Sequence, residues 1–312
     1  MGRILVTGAN GQVGFELLRS LAGQGEVIAV ARDRMDLSDP DSIRRAVREA
    51  KPDLIVNAAA YTAVDQAEKE PELALAVNGI APAILAEEAK RLGAALIHYS
   101  TDYVFDGTKD APYTEDDEPR PINVYGRTKL AGERAIEAVG VPHLILRTSW
   151  VYGARGKNFL LTILRLARER DELKIVDDQI GAPTWCRAIA RATADIVKRL
   201  DYGQAGFANA CAEKTGVYNL SAAGQTSWHG FAAAILADAA NVQPRASAPA
   251  LERVPIALAR VPILIPVATE QYPTPARRPG NSVLSHDKLQ RAFGVALPDW
   301  QISLAACMSD SL

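Results

Sequence analysis

A short apolar run, Arg3-Ile4-Leu5-Val6-Thr7, breaks directly into Gly8-Ala9-Asn10-Gly11-Gln12-Val13-Gly14. An amphipathic stretch follows, with Val13, Leu17, Leu18 and Leu21 at helical spacing. Strand, glycine loop and helix in that order leave few folds open. Glycine permits the tight turn and lets the backbone approach a diphosphate, while the helix amino terminus favours negative charge. Gly8, Asn10, Gly11, Gln12, Val13 and Gly14 are therefore candidate dinucleotide contacts. Glycine triplets also serve as plain connections; the strand-loop-helix context favours binding.

The same alternation continues down the chain. Val27–Val30 is a second strand, 40–50 a helix with Asp39 at its cap, Asp53–Asn57 a third strand, and Glu72–Leu92 a long helical pattern containing Asn78. The β-α-β-α order predicts an α/β fold with a Rossmann-like, doubly wound parallel sheet. After the second strand a carboxylate would suit the adenosine ribose of NAD, whereas arginine accommodates the 2′-phosphate of NADP. Arg32 points to NADPH, and Asp33 beside it keeps NADH open. Asp36 and Leu37 suit an adenine rim. The small residues Ala58, Ala59 and Ala60 end the third strand, where they allow either a flat cofactor or tight helix–strand packing.

The fourth strand, Ala95-Leu96-Ile97-His98-Tyr99, delivers Ser100 and Thr101 to the carboxyl edge of the sheet, where open α/β sheets bind ligands. Tyr125 and Lys129 lie four apart on a predicted helix and share a face. A phenol beside an ammonium, near a strand-end hydroxyl, can protonate the oxygen of a carbonyl that receives hydride. The lysine is expected to lower the phenol's pKa. Thr101, Tyr125 and Lys129 are the candidate catalytic group.

The rest of the chain bounds the function by exclusion. Its 312 residues carry 35 basic and 37 acidic side chains, a net charge of −2, with no long run of one sign. A nucleic-acid binder relying on a broad basic field is disfavoured, and no stretch resembles a membrane span or signal peptide. Cys186, Cys211 and Cys307 are scattered, as are the four histidines, so neither a disulfide framework nor a His/Cys metal site is expected and a reducing cytoplasm is. The segments 157–170 and 185–200 suit amphipathic helices, Asp178–Thr184 a loop over a cleft, and the chain beyond Leu220 an irregular apolar stretch. Tyr272–Ser282 is proline-rich and rigid; Arg277 and Arg278 on it could grip a diphosphate.

Beyond these single features, a set of segments occurs in one order: Val56-Asn57-Ala58-Ala59-Ala60-Tyr61-Thr62, Tyr99-Ser100-Thr101-Asp102-Tyr103-Val104-Phe105-Asp106-Gly107, Asn123-Val124-Tyr125-Gly126-Arg127-Thr128-Lys129, Arg147-Thr148-Ser149-Trp150, Asp178-Gln179-Ile180-Gly181-Ala182-Pro183-Thr184 and the Tyr272–Ser282 run. Together they resemble the extended short-chain dehydrogenase/reductase superfamily and, within it, the dTDP-4-dehydrorhamnose reductases. The resemblance implies reduction of the 4-keto group of a dTDP-linked sugar by NADPH, the last step of dTDP-rhamnose synthesis. It also implies cofactor contacts at Tyr61 and Thr62 and substrate contacts at Thr101, Asp102, Tyr103 and Trp150. It further implies a nucleotide-binding domain over 1–150, joined by returning segments near 175–205, and a smaller α/β substrate domain drawn mainly from 151–174 and 216–312. The partner is a nucleotide sugar, and a homodimer is compatible. Magnesium is associated with the family, yet Glu16 stands alone near Arg187, too few oxygens for a hard cation. Another nucleotide-sugar reductase or epimerase, or a noncatalytic NADP-binding regulatory subunit, would share many of these features.

Overall fold

A computed structural model describes residues 2–204, 206–241 and 260–311. Six strands form the central sheet: β1 (Arg3–Thr7), β2 (Glu26–Val30), β3 (Leu54–Asn57), β4 (Ala95–Thr101), β5 (His143–Thr148) and β6 (Gly216–Asn219). All pair in parallel, in the order β6-β5-β4-β3-β1-β2. The chain leaves β1 toward β2 and returns to β3 on the other side. That reversal opens a crevice at the carboxyl ends of β1 and β3, where ligands bind in such sheets.

The strands are apolar on both faces because both are covered. Ile4, Val6, Leu54, Val56, Leu144 and Leu146 face one layer, which includes α1 (Gln12–Ser20), α6 (Cys186–Arg199) and α8 (Asp287–Phe293). Their neighbours Leu5, Ile55, Leu96 and Ile145 face α2 (Pro40–Ala50) and α3 (Ala81–Leu92), as the two-residue alternation of a strand requires. A separate core gathers α5 (Phe159–Glu169), α7 (Trp228–Asn241) and α9 (Trp300–Ser311) around Tyr152, Trp185, Phe231 and Leu304.

Tyr125 and Lys129 lie on helix α4 (Val124–Val139). Asn123 caps it by accepting from Gly126 N at 2.7 Å, and Gly140 closes it in the left-handed region. A Cβ on Gly126 would lie 2.1 Å from Tyr103 O, so only glycine lets α4 meet the turn after β4 this closely. Glu133 and Arg147 then join α4 to β5 through a buried bidentate pair at 3.0 and 2.6 Å.

Several elements differ from their sequence pattern. The single helix expected over Glu72–Leu92 is broken into Pro71–Leu75, a π-helical turn at Ala76–Ile80, and α3. Pro82 is the cause: it has no N–H to offer the carbonyl of Asn78, and its ring pushes that carbonyl away. The stretch beyond Leu220, expected to be irregular, contains the regular helix α7. Its alanine-rich sequence is apolar on nearly every side and shows no helical period. Residues 242–259 of that stretch lie outside the described residues. Strand β6 and helix α8 join the large sheet from within the range expected to serve mainly the smaller unit. Among the described residues no helix is long and apolar enough to cross a membrane.

Candidate active site

A cleft of about 770 Å³ opens at the carboxyl edge of the sheet. Gly8, Asn10, Gly11, Gln12 and Val13 form its floor at the amino end of α1. Gly8 has φ +66°, and a Cβ there would press 2.9 Å from Ala59 N; no other residue fits that turn and that contact together. Gly14, grouped with this loop in the sequence, is not on the wall. A Cβ at Gly14 would sit 2.1 Å from Gly8 O, so its role is to let α1 close onto the loop.

Arg32, Asp36 and Leu37 line one end of the cleft. Arg32 is largely exposed and 3.8 Å from Asp36. Asp36 is occupied by the backbone and hydroxyl of Ser38, which hold its carboxyl below the ordinary range. Ala59, Ala60, Tyr61 and Thr62 form a side wall. Asn78 fixes that wall: its amide bonds both Tyr61 N, at 2.9 Å, and Tyr61 O, at 3.0 Å. The Tyr61 hydroxyl points away and donates to Glu70 at 2.6 Å.

Thr101, Asp102, Tyr103, Tyr125 and Lys129 share the deep part of the cleft. Thr101 Oγ1 donates to Asp102 Oδ1 at 2.9 Å and accepts from Tyr103 N. Burial pushes the Asp102 carboxyl up to about 6. Tyr103 meets Tyr125 edge to face, with ring centroids 5.7 Å apart. Burial pushes the Tyr125 phenol up to about 12, against the opposing influence of the Thr101 hydroxyl. This corrects the expected lowering by lysine. Lys129 is 1 % exposed, and its nitrogen meets His98 Nε2 at 3.1 Å and donates to Tyr99 O at 2.6 Å. Its charge is directed at β4 rather than at the phenol. Burial pulls Lys129 down to about 8, while Glu133 favours its charge.

Trp150 also lines the cleft, with φ +46°. Its ring stacks on Trp228, centroids 3.5 Å apart and 5° from parallel, and Phe159 meets Trp228 at a tilt with centroids 4.6 Å apart. Trp228 is a site residue that sequence reasoning missed; the only local signal was Thr226-Ser227 ahead of a helix start. Ser100 and Thr148 were expected at strand ends but were given no role. Their hydroxyls are buried without a hydrogen-bond partner and their residues line the cleft.

Arg277 and Arg278 are not on the cleft wall. Arg278 is committed to Asp65 through two bonds at 2.9 and 2.8 Å. The Arg277 main-chain oxygen accepts from Asn123, and the Tyr272–Ser282 run is thereby fixed beside the start of α4. At the other face of the sheet, Glu16 is paired with Arg187 at 3.0 Å. Its carboxylate already serves a guanidinium, and among the described residues no group of three or more His, Cys, Asp or Glu could hold a metal. These residues do not fit a magnesium site.

Residues 2–312 match the family described as RmlD substrate binding domain. A dTDP-4-dehydrorhamnose reductase of Burkholderia thailandensis is 52% identical over 310 residues, covering 99% of each chain. The crystal structure of a dTDP-4-dehydrorhamnose reductase from Clostridium acetobutylicum superposes with a TM-score of 0.85 at 34% identity, over 98% of both chains. That of the Bacillus anthracis reductase in complex with NADP gives 0.83 at 32% identity, over 99% of both. A parallel sheet with a glycine-loop cleft, a Thr-Tyr-Lys group at its edge and full-length similarity of this order have one reading: the chain belongs to the dTDP-4-dehydrorhamnose reductase family.

Proposed function

We propose that the cleft takes NADPH and a dTDP-linked 4-ketosugar, and that the chain reduces dTDP-4-dehydro-L-rhamnose to dTDP-L-rhamnose. One observation carries the chemistry: Thr101 at the end of β4, Tyr125 and Lys129 line the same cleft as the glycine loop. The residues present suit the cofactor. Gly8 to Val13 would hold its diphosphate, Arg32 its 2′-phosphate, and Ala59 to Thr62 its nicotinamide end, while the unpartnered hydroxyls of Ser100 and Thr148 offer bonds to a polar guest. When bound, the reduced nicotinamide supplies a hydride to the ketone carbon.

The chain's own residues handle the oxygen. Thr101 would turn its proton from Asp102 toward the carbonyl oxygen, and Tyr125 would give its own as negative charge develops there. Lys129 has three N–H groups. Two are directed at His98 and Tyr99 O, and the third is left for the cofactor ribose. Trp150 and Trp228 form the flat wall against which a sugar ring packs. On this reading the six-stranded unit serves the cofactor, and the core of α5, α7 and α9 serves the sugar.

The test supplies dTDP-4-dehydro-L-rhamnose, follows NADPH oxidation and identifies the product sugar. Tyr125→Phe is expected to bind NADPH normally and to lose about 10²–10⁴-fold in kcat. Near-normal turnover would remove Tyr125 from its role. Activity only on a GDP- or UDP-linked ketone would shift the substrate, and NADPH binding with no turnover of any such ketone would point to a regulatory subunit.

A further inference from the structure

Thr7, Asn57 and His98 lie on one rung of the sheet, Thr7 in register with Asn57 and Asn57 with His98. Their side chains form a hydrogen-bonded row. Thr7 Oγ1 donates to Asn57 Oδ1 at 2.6 Å, and the Asn57 amide meets His98 Nδ1 at 2.9 Å. His98 Nε2 then meets Lys129 Nζ at 3.1 Å. Each of the four residues is only 1 % exposed. Polar groups buried this deeply cost stability unless they are paired, and a central parallel strand would ordinarily be apolar at each position. The row starts beside Gly8 and ends on the lysine.

The chemistry of the partners restricts how protons sit in it. An ammonium has donors only. Facing it, His98 Nε2 must be bare and the ring proton must sit on Nδ1, with the Asn57 amide turned so that its oxygen accepts there and its nitrogen donates to Thr7. With a neutral lysine the polarity reverses. Nε2–H donates to the amine, Asn57 Nδ2 donates to Nδ1, and Thr7 donates to Asn57 Oδ1. Going from the first arrangement to the second releases one proton from the row and turns the Asn57 amide through half a rotation, so that its oxygen and nitrogen exchange places. Lys129 therefore has a satisfied partner in either charge state.

We propose that His98 is the positioning residue for Lys129, and that the Thr7–Asn57–His98 rung reverses its hydrogen-bond polarity when the lysine changes charge. Both arrangements need a neutral imidazole. Burial, with Lys129 and His143 nearby, holds the His98 ring well below the usual histidine range. The charged group facing Lys129 from its own helix is Glu133, which is paired with Arg147 of β5 and favours the ammonium. The proposal rests on the role given to Lys129 above.

The experiment compares His98→Leu and His98→Gln with the native enzyme, measuring kcat against pH, circular dichroism and NADPH binding. Leucine removes the acceptor from a charged donor, so the alkaline limb of kcat is expected about one to two pH units lower. Glutamine, whose amide oxygen reaches the position of Nε2, is expected to return the limb toward the native value. A folded His98→Leu variant with the native limb overturns the proposal. If that variant does not fold, ¹⁵N spectra of the native ring decide. Nδ1 protonated in the active enzyme, passing to Nε2–H across the alkaline limb, supports the switch; Nε2 protonated throughout overturns it. An enzyme that binds NADPH yet reduces no nucleotide-linked 4-ketosugar would overturn the function proposed for the site, while the ring nitrogens would still report on His98.

Discussion

The pair Glu133–Arg147 holds the helix that carries Tyr125 and Lys129 against β5, and its removal should be costly in a specific way. The side chains are 2 % and 4 % exposed, and their two bonds are 3.0 and 2.6 Å long. Arg147→Met keeps apolar contact with Phe105, over whose ring the guanidinium lies at 5.1 Å, but strands a carboxylate in the interior. Breaking one side of a buried pair costs about 3–5 kcal/mol. At about 2–4 °C per kcal/mol for a domain of this order, Tm should fall by roughly 6–20 °C. The double variant Arg147→Met with Glu133→Leu leaves no buried charge and should recover most of that loss. Urea unfolding of the two singles and the double measures the coupling directly. A loss below about 1 kcal/mol for Arg147→Met, or a double variant no more stable than the worse single, would refute the reasoning. A kinetic readout separates the partners further. Glu133→Gln removes a charge that favours the Lys129 ammonium, so the alkaline limb of kcat should move down; Arg147→Met retains that charge and should leave the limb in place or raise it.

Three further outcomes are expected. With burial drawing Lys129 down to about 8, the ammonium is present below that pH and lost above it, so kcat should decline as pH rises through about 8; a profile that stays flat well beyond that point would contradict the role of the lysine. Arg32→Ala should raise KM for NADPH about tenfold or more, the worth of a hydrogen bond to a charged group, and leave KM for NADH nearly unchanged; equal effects on both cofactors would remove Arg32 from the 2′-phosphate. Gly181→Ala would place a Cβ 2.5 Å from Trp150 Cε2; overpacking of this kind costs about 1–3 kcal/mol, and displacement of the indole should show in Tm, in tryptophan fluorescence and in KM for the sugar. A variant indistinguishable from the native enzyme in all three would show that the Trp150–Trp228 stack is not braced by the backbone at Gly181.

The features legible in the sequence are those set by local pattern. An apolar run ending in a glycine loop could be read because both faces of the strand are covered and the turn tolerates only small residues. Tyr125 and Lys129 could be paired because a helix fixes their spacing. What could not be read depends on contacts distant in the chain. Arg278 finds Asp65 across 213 positions, so nothing local distinguished a diphosphate ligand from a structural ion pair. His98 looked like one of four scattered histidines until the register placed it beside Asn57, 41 positions away. Helix α7 concealed Trp228 because burial on nearly all sides erases the period by which a helix is recognised. Pro82 was visible, but its effect on the turn at Asn78 emerges only when the carbonyl it displaces is located.

The acidity of the site runs opposite to the simplest expectation, and the reversal suits reduction. A phenol lowered by lysine would exist partly as phenolate and would leave fewer molecules loaded to give a proton. Burial instead pushes Tyr125 up to about 12, so the phenol proposed as donor is protonated throughout the neutral range. It can still act, because a sugar alkoxide is a stronger base than a phenolate and takes the proton downhill. The cost appears afterward, as a phenolate in a poorly solvated cleft. Lys129, at about 8, is the stronger acid of the two and lines the same cleft, where on the proposed reading it favours recovery of that proton. A lysine held by His98 and a strand carbonyl keeps its ammonium available without committing it to the phenol before charge has developed there.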